Sequence, residues 1–242
     1  MNTNIIVLII IIIIILLIIF SNIIDNFTNK WNDRIDGIIY INLEKREDRK
    51  KLLLEELARI EVDMNKVNKV AGSYIPKNGH KGCVQSHIIA LTMAKMNKWK
   101  YLMVFEDDME LNVSPDDFNN NINDILDYMN DNNISWDVIM LATGHGANDK
   151  KPIENTDMFV RITYATTSSG YIVNEKYYDI LLDVFKNCND NMTKDKWSGN
   201  EWWEPYALDQ QWNYLQAKDN WYGFKNDIIK QRNISSTIMN RE

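Results

Sequence analysis

Histidine and cysteine are nearly absent from this chain, and the few that occur are scattered. Three histidines (His80, His87 and His145) and two cysteines (Cys83 and Cys188) serve 242 residues. The cysteines are too far apart in sequence to read as a metal site. They form either one disulfide in an oxidising compartment or two buried free thiols. A phosphohydrolase-type metal centre, which collects several His and Asp ligands, is disfavoured by the same scarcity. An excess of basic charge is also missing. The net charge of -7, with no basic stripe, argues against a nucleic-acid partner held by phosphate contacts. Internal repeats and a second domain boundary are not visible, so the length fits one catalytic-size domain with a short accessory segment.

One long hydrophobic run is present. Ile5 to Phe20 is unbroken aliphatic or aromatic, and apolar character persists weakly to Ile24. Met1-Asn2-Thr3-Asn4 lacks a basic region and no small-x-small cleavage site follows. This favours an uncleaved N-terminal transmembrane helix over a signal peptide. The expected organisation is a membrane anchor over 1–24, a polar stem over 25–36 and a domain over 37–242. Lys30 and Arg34 follow the span, so the positive-inside tendency alone would keep the domain cytosolic.

Within the domain, strand and helix patterns alternate. Gly37 to Leu43 reads as a buried strand, Glu47 to Ile60 as an amphipathic helix, and Val67 to Ala71 as a short strand. Pro76 to Gly82 reads as a loop and Ser86 to Lys98 as a helix. A further helix follows Pro115. Trp136 to Ala142, Met158 to Tyr164 and Gly170 to Val173 read as strands, and Glu175 to Phe185 as a helix. The alternation predicts an α/β fold with a mostly parallel central sheet flanked by helices. Aromatic residues crowd the C-terminal third, and Glu201-Trp202-Trp203-Glu204 resembles a cleft wall because core packing would bury its acids. Trp203 is its candidate ligand-facing residue.

The stretch Tyr101-Leu102-Met103-Val104-Phe105-Glu106-Asp107-Asp108 carries the most information. A buried strand cannot keep three ionised side chains inside it. The acids therefore emerge at the strand's carboxyl end, where open α/β sheets place their ligand crevice. Hard oxygen donors at this density suit Mn²⁺ or Mg²⁺, which usually complete their coordination with substrate phosphates. A solvated acidic turn is the competing reading.

Four further segments occur with it in order: Asn42 to Arg49, Gly82 to His87, Thr166 to Val173, and Ala207 to Gln211. Together they resemble glycosyltransferase family 25, which includes lipopolysaccharide and procollagen galactosyltransferases. Gly170-Tyr171-Ile172-Val173 and Leu208-Asp209-Gln210-Gln211-Trp212 look most like members from giant DNA viruses. The resemblance implies a GT-A-type fold, a divalent metal, and inverting transfer of a sugar, galactose or glucose, from a UDP-sugar to a hydroxyl of a glycan or glycoprotein. It implies Glu106 and Asp108 as metal ligands, with Asp107 holding the ribose or orienting its neighbours. Asn42, Arg46 and Arg49 match the nucleotide-binding start. Ser86 and His87 match a Ser-His pair that either faces the diphosphate or serves the helix itself. Asp209 matches a late aspartate and is the candidate base for the acceptor hydroxyl, with Glu204 as runner-up. The resemblance also points to a lumenal, ER- or Golgi-like placement, or to a host or virion membrane. A catalytically inactive carbohydrate-binding module on the same fold is the alternative.

Overall fold

The computed structural model describes residues 10–17, 31–76, 78–144, 148–192 and 204–234. Its helices are α1 (residues 10–17), α2 (Trp31–Arg34), α3 (Glu47–Arg59), α4 (Gly79–Met96), α5 (Pro115–Asp131), α6 (Tyr178–Asn191), α7 (Leu208–Gln211) and α8 (Asn213–Lys218). The strands are β1 (Gly37–Asn42), β2 (Val67–Ala71), β3 (Tyr101–Glu106), β4 (Met109–Leu111), β5 (Val138–Met140), β6 (Asp149–Pro152), β7 (Phe159–Tyr164), β8 (Gly170–Asn174), β9 (Trp221–Phe224) and β10 (Ile229–Gln231). Eight of them make one sheet in the order β2-β1-β3-β8-β5-β9-β7-β6, and β4 pairs with β10 in a separate ribbon.

Alternation along the central strands assigns side chains to two cores. Ile39, Ile41, Val104, Tyr171 and Val173 face one side, with Val84, Leu91, Leu181 and Phe185 of α4 and α6. Ile38, Tyr40, Met103, Phe105 and Ile172 face the other, with Leu53 and Leu57 of α3 and Phe118, Ile122 and Ile125 of α5. Each fully buried Leu, Ile or Phe stabilises the fold by about 1.5–3 kcal/mol. Helix α5 starts where the chain dictates. Ser114 Oγ accepts from the Asp117 amide, Pro115 occupies the first turn, and Asp116 and Asp117 complement the helix dipole.

Two expectations are corrected. The sheet is mixed, not mostly parallel: β1–β2, β1–β3 and β5–β9 are parallel, while β3–β8, β5–β8, β6–β7 and β7–β9 are antiparallel. The fold is a mixed α/β one. Apolar runs fix burial but not strand direction, and β8 enters reversed between β3 and β5. That reversal has a consequence for chemistry. It sets the start of β8 beside the carboxyl end of β3, with Gly170 opposite Phe105. A Cβ at Gly170 would lie 2.3 Å from Cδ1 of the buried Ile229, so any larger residue here would have to displace the end of that side chain.

The second correction concerns the N-terminus. Among the described residues, no helix is long and apolar enough to cross a membrane. The described part of the apolar run, residues 10–17, is helical. The expected transmembrane helix is overturned on this finding, and with it the single-pass, lumenal or virion-membrane placement. The remaining residues of the run, 5–9 and 18–24, lie outside the described part. Within the segment read as a stem, Trp31 is buried in the second core, 1% exposed, and donates from its indole to Asn119 at 2.7 Å.

Candidate active site

Strand β3 runs parallel to β1 and delivers Glu106, Asp107 and Asp108 to the sheet's edge, where they diverge. Asp107 turns to the side of β1 and α3. Its oxygens accept from Asn42 Nδ2 at 2.8 Å and from an Arg49 guanidinium nitrogen at 2.9 Å. The same Arg49 nitrogen lies 3.3 Å from Asp108 Oδ2, which also accepts from Gln231 Nε2 at 3.0 Å. The other Asp108 oxygen, Oδ1, is buried without a hydrogen-bond partner. Glu106 Oε1 accepts from Ser168 Oγ and lies 3.2 Å from His87 Nε2.

Glu106 and Asp108 line a cavity of about 670 Å³ together with Arg49, Asp209, Lys230 and Arg232. A smaller cavity of about 70 Å³ shares Arg49, Glu106 and Asp108 and continues to Ile41, Leu43 and Tyr74. Lys45 Nζ sits 3.9 Å above the Tyr74 ring.

Four carboxylates line this space with Glu110 included, and the proton affinities of Glu106, Asp108 and Asp209 diverge. Burial opposes ionisation of Glu106, but hydrogen bonds from His87 and Ser168 and the charge of Arg49 outweigh it and hold its pKa below the ordinary value. Burial, then the charge of Glu106, pushes Asp108 up to about 7. The same two causes raise Asp209 to about 6. Near neutral pH Asp108 is therefore partly protonated, because burial and the charge of Glu106 outweigh the nearby Arg49. Oxygen donors from Glu106 and Asp108, one of them an orphaned buried atom, fit a hard divalent cation.

Other residues singled out in the sequence occupy different places. Asn42 is buried and also donates to the Arg46 carbonyl at 3.0 Å, bracing the strand-to-helix corner; it lines neither cavity. Arg46 makes a two-pronged contact with Asp48 at 2.8 and 2.7 Å, and it too lines neither cavity. Ser86 sits inside α4, not at its start. Its hydroxyl donates to the Gly82 carbonyl at 2.7 Å and accepts from the Ser73 amide at 2.9 Å, tying the helix to the loop after β2. His87 is fully buried behind Glu106, its Nδ1 2.9 Å from the Tyr171 hydroxyl. Glu204 is buried, accepts from the Tyr206 amide at 3.1 Å and is not a lining residue. Trp203 lies outside the described residues. Cys83 and Cys188 are both free thiols. Burial pushes the Cys83 thiol well above its ordinary range, and the charge of Glu106 adds to this.

Sequence reasoning missed the basic residues of β10. The Lys230-Gln231-Arg232 triplet reaches the site because β10 pairs with β4 immediately after the acids, with Gln231 opposite Met109. The Arg232 amide donates to the Asp108 carbonyl at 2.6 Å, and its guanidinium reaches Glu56 at 2.8 Å and Glu110 at 3.3 Å. Two cations flanking an amide were the visible signal, without a strand pattern to place them.

Comparison with known proteins finds a family and several similar solved structures. Residues 68–197, just over half of the chain, match the model of glycosyltransferase family 25, described as an LPS biosynthesis protein. Among solved structures the chain is similar to a glycosyltransferase involved in the glycosylation of the major capsid of PBCV-1. That match has 13% identity over 83% of this chain and 93% of the other, with a TM-score of 0.48. It is also similar to mannose-1-phosphate geranyltransferase from Thermus thermophilus (9% identity, 81% and 73% coverage, TM-score 0.44). A third is A197 from STIV (10% identity, 77% and 80% coverage, TM-score 0.42). No curated protein sequence matches the chain.

Proposed function

This chain belongs to glycosyltransferase family 25, and from that premise we propose that it transfers a hexose from a UDP-sugar to a hydroxyl of a glycan or glycoprotein, with inversion at the anomeric carbon. The observation that carries the reading is the convergence of Glu106, Asp108 and Asp209 with Arg49, Lys230 and Arg232 on one cavity. Glu106 and Asp108 would hold Mn²⁺ or Mg²⁺. Such an ion, when bound, neutralises charge that develops on a departing diphosphate.

The chain's own residues do the remainder. Arg49, Lys230 and Arg232 supply positive charge for the two phosphates, and Arg49 is fixed in place by Asp107. The nucleoside lies toward Ile41, Leu43 and Tyr74, where the smaller cavity adjoins the acids. The acceptor oxygen attacks the anomeric carbon opposite the bond to the diphosphate. A carbon–oxygen bond forms to the acceptor, the bond to phosphate breaks, and its electron pair leaves on the nucleotide. The hydroxyl proton passes to a carboxylate oxygen of Asp209. A pKa of about 6 suits a base working near neutrality.

Incubating the purified protein with Mn²⁺ and a panel of UDP-sugars tests this reading, with UDP release as the readout. At least one donor should be turned over, and Asp108→Asn should abolish turnover while leaving the fold intact. Folded, Mn²⁺-loaded protein that hydrolyses and transfers none of them would refute it. Glycan binding that ignores EDTA and survives Asp108→Asn would favour a binding module instead.

A further inference from the structure

A second donor set, of softer chemistry, occupies the cavity wall. Cys83 and His87 stand four residues apart on α4, on the same helical face, and both address Glu106 at the end of β3. Cys83 Sγ lies 3.8 Å and His87 Nε2 lies 3.2 Å from Glu106 Oε1, and the three ligand atoms all fall within 4.8 Å of one another. A tetrahedral zinc ion with bonds of roughly 2.3 Å to sulfur and 2.0–2.1 Å to nitrogen and oxygen sets its ligands about 3.3–3.6 Å apart. The two contacts to Glu106 already approach that spacing.

The surroundings suit such an ion. His87 Nδ1 is 2.9 Å from the buried Tyr171 hydroxyl, so when an ion displaces the hydrogen that Nε2 gives to Glu106, Nδ1 can donate to Tyr171 and leave the Nε2 lone pair for the ion. Ser168 Oγ donates to Glu106 and orients the carboxylate. Cys83 and Glu106 both line the larger cavity, so an ion can enter and a fourth position opens to water. A thiolate with an imidazole selects zinc-like cations over manganese or magnesium.

We propose that Cys83, His87 and Glu106 form a binding site for a borderline-soft divalent cation, with zinc as the type, distinct in chemistry from the hard-cation position at Glu106 and Asp108. Because Glu106 cannot serve both, zinc occupancy withdraws it from the hard ion and inhibits transfer; this second clause rests on the proposed transferase function.

Cobalt is the probe. Adding Co²⁺ to the chelator-stripped full chain should produce a near-ultraviolet thiolate-to-cobalt charge-transfer band. The band should persist in Cys188→Ser, vanish in Cys83→Ser and collapse on adding equimolar Zn²⁺. Absence of the band, or its survival in Cys83→Ser, overturns the site. A second measurement needs no Cys83 variant. In Cys188→Ser protein, Zn²⁺ should slow iodoacetamide alkylation of Cys83 by at least about tenfold, because the metal-held sulfur is withdrawn as a nucleophile. Mg²⁺ should not do so, and equal rates with and without zinc overturn the site as well. Inhibition is read separately, as zinc-dependent loss of UDP release in Mn²⁺. If no donor turns over even without zinc, the transferase reading fails while the cobalt band still decides the cation site.

Discussion

Replacing Asp108 by asparagine should stabilise the metal-free protein at alkaline pH and do almost nothing in acid. Folding carries this carboxyl from 3.8 to about 7, first through burial and then through the charge of Glu106. Each tenfold change in proton affinity is worth about 1.4 kcal/mol, so ionised Asp108 costs the fold about 4 kcal/mol at pH 8. The direction follows from proton counting. Between 3.8 and about 7 the folded state keeps a proton that the unfolded chain has lost, so stability present below 3.8 is lost as pH rises through about 7. Asparagine does not titrate, and its amide oxygen can still accept from Arg49 and Gln231. Urea unfolding in EDTA at about pH 4 and about pH 8 measures the difference. The variant should exceed the parent by about 4 kcal/mol in base and match it in acid. His80, which burial depresses to about 4, pulls stability the other way between 4 and 6.5, but equally in both proteins. A difference that stays flat with pH, or a variant less stable in base, would refute the cost assigned to burying ionised Asp108 beside Glu106.

The same unfolding experiment with saturating Mn²⁺ should raise the parent's midpoint near pH 8 and leave Asp108→Asn unmoved, since a ligand of the native state alone stabilises by mass action. Gly82→Ala should cost about 1–3 kcal/mol by overpacking, because its Cβ would lie 2.1 Å from the Ser73 carbonyl oxygen; an unchanged thermal midpoint would contradict this. Trp31→Ala should cost about 3–5 kcal/mol, read by urea unfolding, because it empties a buried site and strands Asn119. A loss near zero would mean that the segment before β1 is not part of the folded unit.

Burial and local punctuation were legible in the chain, whereas direction and long-range pairing were not. The expected strand at Val67 to Ala71 coincides with β2, and the helix after Pro115 begins on its Ser-Pro cap. Helix α4 begins at Gly79 instead of Ser86, because two glycines disguise a first turn that Asn78 caps by accepting from the Lys81 amide. Gly82 is there for close approach to Ser73, not for a turn. Of the site, the acidic strand end was readable because a buried run cannot absorb three charges. Its internal division was not. Nothing local announces that Asp107 would be tied up by Asn42 and Arg49 while Asp108 keeps an unpaired oxygen. The lining from Thr167, Ser168 and Ser169 depends on β8 entering antiparallel, and the lining from β10 depends on a three-residue ribbon. Both are pairings between segments remote in sequence, outside the reach of periodicity.

The most direct test is calorimetric titration of UDP into the protein with Mn²⁺ and, separately, with EDTA. Saturable binding in Mn²⁺ that vanishes in EDTA and in Asp108→Asn is the predicted result. Binding of equal strength in all three would contradict the assignment of Glu106 and Asp108 as the grip on a diphosphate-bound cation.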